Sequence, residues 1–230
     1  MAISIVSSRQ AAALHGIKCL VYGKAGMGKT YLARTAPKPI VLSAESGMLS
    51  LRDVDIPVIT VRTVDDLTEA YNWACSSPEA AQFDTIYIDS ISEIGEVVLS
   101  NAKAQVKDPR QAYGELIEKM MVTLKAFRDL PGKHVVMAAK QNVVTDSVTG
   151  AITYGPSMPG ARLAMELPYL FDEVFQLSIG KTPEGIEYRY LRTHPDMQNE
   201  AKDRSGVLDA IEPPDLTLIF NKIINPANQE

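Results

Sequence analysis

Residues Gly23-Lys24-Ala25-Gly26-Met27-Gly28-Lys29-Thr30 follow the spacing G-x-x-x-x-G-K-[ST]. That pattern suits a chain that wraps phosphates. Glycines let the backbone come close to an anion in conformations that a Cβ forbids. The exposed N–H groups, followed by the positive end of a helix, then face the anion. Lys29 is expected to reach the β- and γ-phosphates as a point charge, and Thr30 to place its hydroxyl on Mg²⁺. The expected cradle runs from Gly23 to Tyr31, with ATP and Mg²⁺ as the implied cofactors.

A metal-bound triphosphate needs a carboxylate, and Thr85-Ile-Tyr-Ile-Asp89-Ser90 supplies one at the end of an apolar run. Ligands of parallel sheets bind beyond the carboxyl ends of the strands, so Asp89 is expected to hold Mg²⁺ directly or through water. Val41-Leu-Ser-Ala-Glu45 ends another apolar run in an acid. Glu45 can polarise the water that attacks the γ-phosphate, with Glu93 and Glu96 as competing bases. Lys140 and Gln141 follow the run His134–Ala139. If that run lies between the Gly23 strand and the Asp89 strand, Gln141 sits beside the γ-phosphate as a neutral sensor.

The positioning elements follow from periodicity. Strands are expected over Ile17–Tyr22, Ile40–Ser43, Val58–Val61, Thr85–Ile88 and His134–Ala139, alternating with amphipathic stretches. A helix follows the glycine turn over Lys29–Thr35 and is stopped by Pro37 and Pro39. Thr63-Val-Asp-Asp66 resembles a capping box opening a helix through Trp73. Leu116, Ile117, Met120, Met121, Leu124 and Phe127 share one helical face over Gln111–Leu130. Asn142–Gly160 is rich in Thr, Ser, Gly and Pro, has no period and reads as a loop. Val174–Ile179 and Ile186–Leu191 read as a hairpin, and Pro213-Pro214-Asp215 opens a last helix to Ile224. The expectation is an α/β fold with a mostly parallel sheet.

The chain has 230 residues, 46% hydrophobic and 22% charged, which fits one globular domain over 1–230 and excludes a disordered or coiled-coil chain. The N-terminal extension 1–16 and the tail after the last helix flank that domain. No apolar run approaches a membrane span, and no signal pattern opens the sequence, so a cytoplasmic location is expected. Cys19 and Cys75 fit no metal spacing and read as buried, reduced thiols. His15, His134 and His194 are scattered. The net charge of −5 excludes a basic nucleic-acid coat, so any contact with nucleic acid must be local.

The succession Gly23–Thr30, Ala44-Glu45, Ile88-Asp89-Ser90 and Lys140-Gln141 with its following loop resembles the RecA-like P-loop ATPase core, in the short form of phage-type recombinases and single-strand annealing proteins. The resemblance covers about Ile17 to Leu208. It implies a three-layer α/β fold, helices on both faces of the sheet and a C-terminal antiparallel hairpin. It gives Glu45 the role of base and Gln141 that of coupling ATP to a DNA-binding loop. Ala201-Lys202-Asp203-Arg204 is similar to the Lys-x-Arg stretch that RecA-like hexamers insert into a neighbour's ATP site, with Arg189 and Arg192 as rivals.

On the same resemblance, single-stranded DNA would contact two loops: Ser92–Arg110, with Lys103, Lys107 and Arg110, and Asn142–Arg162, which carries Tyr154 and is flanked by Lys140 and Arg162. The implied partners are single-stranded DNA, further copies of the chain in a ring or filament with ATP between subunits, and a single-strand-binding protein. The segments flanking the core are short, so annealing or partner loading is expected rather than strand exchange by this chain alone. The alternatives are an ATP-driven loader of replication proteins and a small-molecule P-loop kinase.

Overall fold

The computed structural model describes residues 7, 15–45 and 47–226. Of the expected N-terminal extension, residues 1–6 and 8–14 lie outside the described residues, as do residues 227–230 of the tail. In chain order the strands are β1 (Lys18–Gly23), β2 (Pro39–Ser43), β3 (Val58–Thr60), β4 (Thr85–Asp89), β5 (His134–Thr145), β6 (Ile152–Ser157), β7 (Glu173–Lys181), β8 (Glu187–Arg192), β9 (Lys202–Asp203) and β10 (Ile211–Glu212). Among the described residues they form one sheet in the order β10-β8-β7-β1-β5-β4-β2-β3, with β6 on β5 and β9 on β7. The run β7-β1-β5-β4-β2-β3 is parallel. β7 and β8 make the expected antiparallel hairpin, from Gln176↔Arg192 to Lys181↔Glu187.

Both faces of this sheet are covered, which is why its strands read as continuous apolar runs. Leu20, Tyr22, Ile86, Ile88 and Met137 face one core, closed by the helices Val64–Ser76, Ile91–Gln105 and Pro109–Arg128. Cys19, Val21, Tyr87 and Val136 face the other, closed by the helices Lys29–Leu32 and Leu216–Ile224. The result is the three-layer α/β architecture of a P-loop NTPase. Its strand order is RecA-like: β5 lies between the glycine-turn strand and the acidic strand, and Gly23 pairs with Lys140.

Local signals explain the helix limits. Thr63 accepts from the Asp66 N–H while Asp66 accepts from the Thr63 N–H, the expected capping box. Asp108 caps the longest helix, with Pro109 at its first position, where a missing N–H costs nothing. Burial explains that helix too: Leu116, Met120, Leu124 and Phe127 face the core at successive turns.

Three expectations are corrected. Ser92–Arg110 is not a loop: Ile91–Gln105 is a helix that buries Ile94, Val98, Leu99 and Ala102, and Ser90 caps it by accepting from the Glu93 N–H. Asn142–Gly160 is largely a hairpin, because β5 continues to Thr145 and β6 returns. Asp146 closes its turn by accepting from the N–H groups of Val148 and Thr149 at 2.9 and 2.7 Å. Cys19 is buried as expected, but Cys75 is exposed.

Glu173, which opens β7, is 1% exposed and titrates far from its usual range. Burial, and then the charge of Asp203, push its carboxyl from 4.5 up to about 8. The folded chain therefore holds a proton that the unfolded chain releases above about pH 4.5. Between that pH and about 8, unfolding releases this proton, so the group's contribution to stability falls as pH rises. Thermal melts at pH 5 and pH 8 check this. Glu173→Gln should lose less stability than the parent chain over that interval, whereas parallel losses would exclude Glu173 as the source.

Candidate nucleotide site

β1 hands the chain to the glycine turn at Gly23. A Cβ there would meet the Leu177 carbonyl oxygen at 2.7 Å, so only glycine lets β7 run this close to the turn. Gly28 then adopts φ 102°, a left-handed conformation that releases the turn into the helix Lys29–Leu32. Tyr87, fully buried on β4, donates to the Lys29 carbonyl at 2.6 Å and ties the start of that helix to the central sheet.

The other strand ends converge on the same place. The Thr30 hydroxyl donates to Asp89 Oδ2 at 2.6 Å. The Ala44 N–H donates to the Asp89 carbonyl at 2.8 Å, which pins the end of β2 against the end of β4. Ser90 Oγ then donates to Glu45 Oε1 at 3.0 Å, while Ser43 Oγ donates to the Glu45 carbonyl. The Asp89–Ser90 peptide is cis. Lys29 Nζ donates to the carbonyls of Gly23 and Lys24 at 2.9 and 3.1 Å.

A cavity of about 710 Å³ opens where these strand ends meet the glycine turn, within the usual range for a ligand site. Lys29, Thr30, Glu45, Asp89, Gln141 and Arg189 all face it. Burial pushes the Asp89 carboxyl up and the Lys29 ammonium down. Each shift is relieved by a partner of opposite charge: a divalent cation at Asp89 and an anion at Lys29. The paired Thr30 and Asp89 oxygens are hard donors of the kind Mg²⁺ takes. The residues present therefore fit a metal-bound polyphosphate.

The remaining sequence candidates fall in several places. Lys24, Ala25, Gly26 and Tyr31 line the cavity, and Met27 packs beneath the turn against the second core. Glu93 is paired with Lys140 at 2.7 Å, and neither Glu93 nor Glu96 lines the cavity. Lys202 and Arg204 do not line it either. They flank the start of β7: Lys202 donates to the Phe171 carbonyl at 2.5 Å, and Arg204 pairs with Asp172 at 2.8 Å. Arg192 pairs with Asp196 at 2.9 Å. Arg189, from β8, does face the cavity, and its Nε lies 3.6 Å from where a Cβ on Gly28 would stand.

The cations expected at DNA are scattered. Lys103 lies over the Tyr113 ring at 5.4 Å, and Arg162 pairs with Glu166 at 2.8 Å. Lys107 and Arg110 sit at the junction of the two long helices. Tyr154 is elsewhere, on β6, 6.0 Å from Lys24 Nζ. Sequence reasoning gave no role to Tyr87 or to the Ser90 hydroxyl. Tyr87 sits inside an apolar strand with nothing to mark it, whereas Ser90 directly follows Asp89 and was legible.

Residues 15–205 match the AAA_24 family, described as an AAA domain. Among solved structures, the chain is similar to the flagellar accessory protein FlaH from Methanocaldococcus jannaschii, at 11% identity over 80% of each chain with a TM-score of 0.42. No curated protein matches it.

Proposed function

The chain belongs to the AAA_24 family of AAA domains, P-loop ATPase domains, and from that premise we propose that it is a Mg²⁺-dependent ATPase acting on single-stranded DNA in recombination or strand annealing. The observation that carries the reading is the convergence of Lys29, Thr30, Glu45, Asp89 and Gln141 on one cavity, beyond the carboxyl ends of β1, β2 and β4 and beside β5. Gly23–Tyr31 would wrap the triphosphate of ATP, and Thr30 and Asp89 would hold Mg²⁺. When bound there, Mg²⁺ would supply positive charge to offset that of the phosphates. Glu45, steadied by Ser90, takes a proton from the attacking water. Gln141 reports the state of the γ-phosphate to the β5–β6 hairpin that follows it. The reading places the chain in the cytoplasm, as copies assembled in a ring or filament with ATP between them, alongside a single-strand-binding protein. Among the described residues no helix is long and apolar enough to cross a membrane.

Charge on the γ-phosphoryl needs a cation besides Lys29. Arg189 offers one in cis, and Arg204 or Lys202 of a neighbouring copy would offer one in trans. Arg189→Ala should lower turnover about 10²-fold, the usual loss for one donor at a developing charge. Mixing Arg189→Ala with Lys29→Ala should restore nothing if Arg189 acts within its own chain. Mixing Arg204→Ala with Lys29→Ala should restore turnover if Arg204 acts across the boundary. Phosphate release from the mixtures reads both outcomes.

One observation favours a second reading, an ATP-driven loader of replication proteins. Lys140 and Arg162 are each held by a carboxylate, which leaves less free charge for a DNA backbone. An ATPase assay with and without single-stranded DNA, alongside light scattering, separates the two. Stimulation by DNA with ATP-driven assembly supports the first. A rate indifferent to DNA but raised by a protein partner supports the second.

A further inference from the structure

A second cavity, of about 330 Å³, opens beside the first and shares Lys24 and Gln141 with it. Tyr154, Gln176, Ser178 and Asn199 complete its polar lining. The two hairpins build its walls, with Tyr154 on β6 and Gln176 and Ser178 on β7. Tyr154 is fixed by its backbone: its N–H donates to the Gln198 carbonyl at 2.6 Å, and its carbonyl accepts from the Glu200 N–H at 2.9 Å. That carbonyl also accepts from the Tyr22 hydroxyl at 3.1 Å. Tyr22 immediately precedes the glycine turn and is the register partner of Gln176. The second cavity thus sits beside the strand that leads into the glycine turn, and Lys24 and Met27 of that turn line it.

Gln176 is 4% exposed and lines the cavity, and its carboxamide makes no hydrogen bond with the described residues yet is not sealed from solvent. A carboxamide so placed is satisfied by water or by a ligand in the cavity. Gln141 and Ser178 also lack side-chain partners there. Asn199 donates through Nδ2 to Asp196 at 2.9 Å, which leaves its carbonyl oxygen available. The cavity therefore presents three carboxamides, a hydroxyl, an aromatic ring and one ammonium, and no carboxylate lines it. An apolar ligand would leave the amides unpaired, and a bare anion would find a single cation. The set suits a flat neutral ligand with donors and acceptors along one edge, a π-face, and an anionic group beside it. Amide side chains pair with base edges, tyrosine stacks on bases, and lysine takes a phosphate.

We propose that this cavity binds one unstacked nucleobase, with Tyr154 on its face, Gln176 and Asn199 on its edge, and Lys24 on the adjoining phosphate. A base within a single strand and a free nucleoside share this chemistry, and the inference rests on the DNA reading only for the first source. Gln141 lines both cavities, so base binding and γ-phosphate binding bear on each other, and to the same extent in both directions.

The test is fluorescence anisotropy of the full chain with a labelled single-stranded oligodeoxynucleotide and with an abasic strand of equal length, plus calorimetric titration with adenosine and thymidine. The base-bearing strand should bind about tenfold tighter than the abasic strand. Tyr154→Ala and Gln176→Leu should each remove most of that gap, with thermal melts confirming that the variants fold. If Gln176→Leu does not fold, Asn199→Ala takes its place. Equal binding of the two strands would overturn the pocket and leave the DNA reading standing. Nucleoside binding lost in the variants, with neither strand bound, would keep the pocket and remove the single-strand source. No binding of strand or nucleoside, or a base preference unchanged in all the variants, would overturn the inference.

Discussion

Lys29→Ala should lower ATP turnover by about 10²–10³-fold or more, the loss expected when a positioned charge is withdrawn from a developing anion in a site that excludes water. Lys29 is the cation carried by the phosphate turn itself, and its ammonium bonds the turn's own carbonyls at 2.9 and 3.1 Å. A γ-phosphate arriving there takes over those donors. Its partial burial makes the ammonium costly to keep without an anion. The loss should therefore appear in nucleotide affinity as well as in rate. Steady-state phosphate release with a parallel binding titration reads both. Turnover at the parent rate would remove the central assignment.

Glu45→Gln should separate binding from chemistry. The amide keeps the size of the side chain and can still accept from Ser90 Oγ, now 3.0 Å from Glu45 Oε1. It cannot take a proton from water. Nucleotide binding should persist while hydrolysis falls by about 10²–10⁴-fold, the range of a positioned general base. Single-turnover phosphate release on preformed complex isolates that step. If hydrolysis persists, the base lies elsewhere, and Glu93 is the nearest rival in sequence. Its pairing with Lys140 at 2.7 Å and its place outside the cavity lining argue against it.

The site was far more legible in the sequence than the surfaces around it. Gly23, Gly28, Lys29 and Thr30 are dictated by backbone and phosphate chemistry that admits few substitutes, so spacing alone picks them out, whereas Asp89, an acid at the end of an apolar run, gains weight only beside that motif. Glu45 and Gln141 needed the strand order as well, and continuous apolar runs made that order readable. The helix Ile91–Gln105 was missed although Ile91, Ile94, Val98, Leu99 and Ala102 fall at helical spacing. The polar residues between them and the expectation of a binding loop after Asp89 outweighed the period. The β5–β6 extension was missed for a different reason. Beyond Ala139 the strand leaves the sandwich, and Val143 and Val144 are exposed, so no buried face imposes alternation. Arg189 and Gln176 owe their positions to the register of β7 with β8 and with β1, which local sequence does not encode.

Calorimetric titration of the full chain with ATP, with and without Mg²⁺, tests most directly whether this cavity is a nucleotide site. Saturable one-to-one binding is expected, tighter with Mg²⁺, with the Mg²⁺ dependence lost in Asp89→Asn. Absence of binding at millimolar nucleotide, or binding indifferent to both Mg²⁺ and Asp89, would contradict the account.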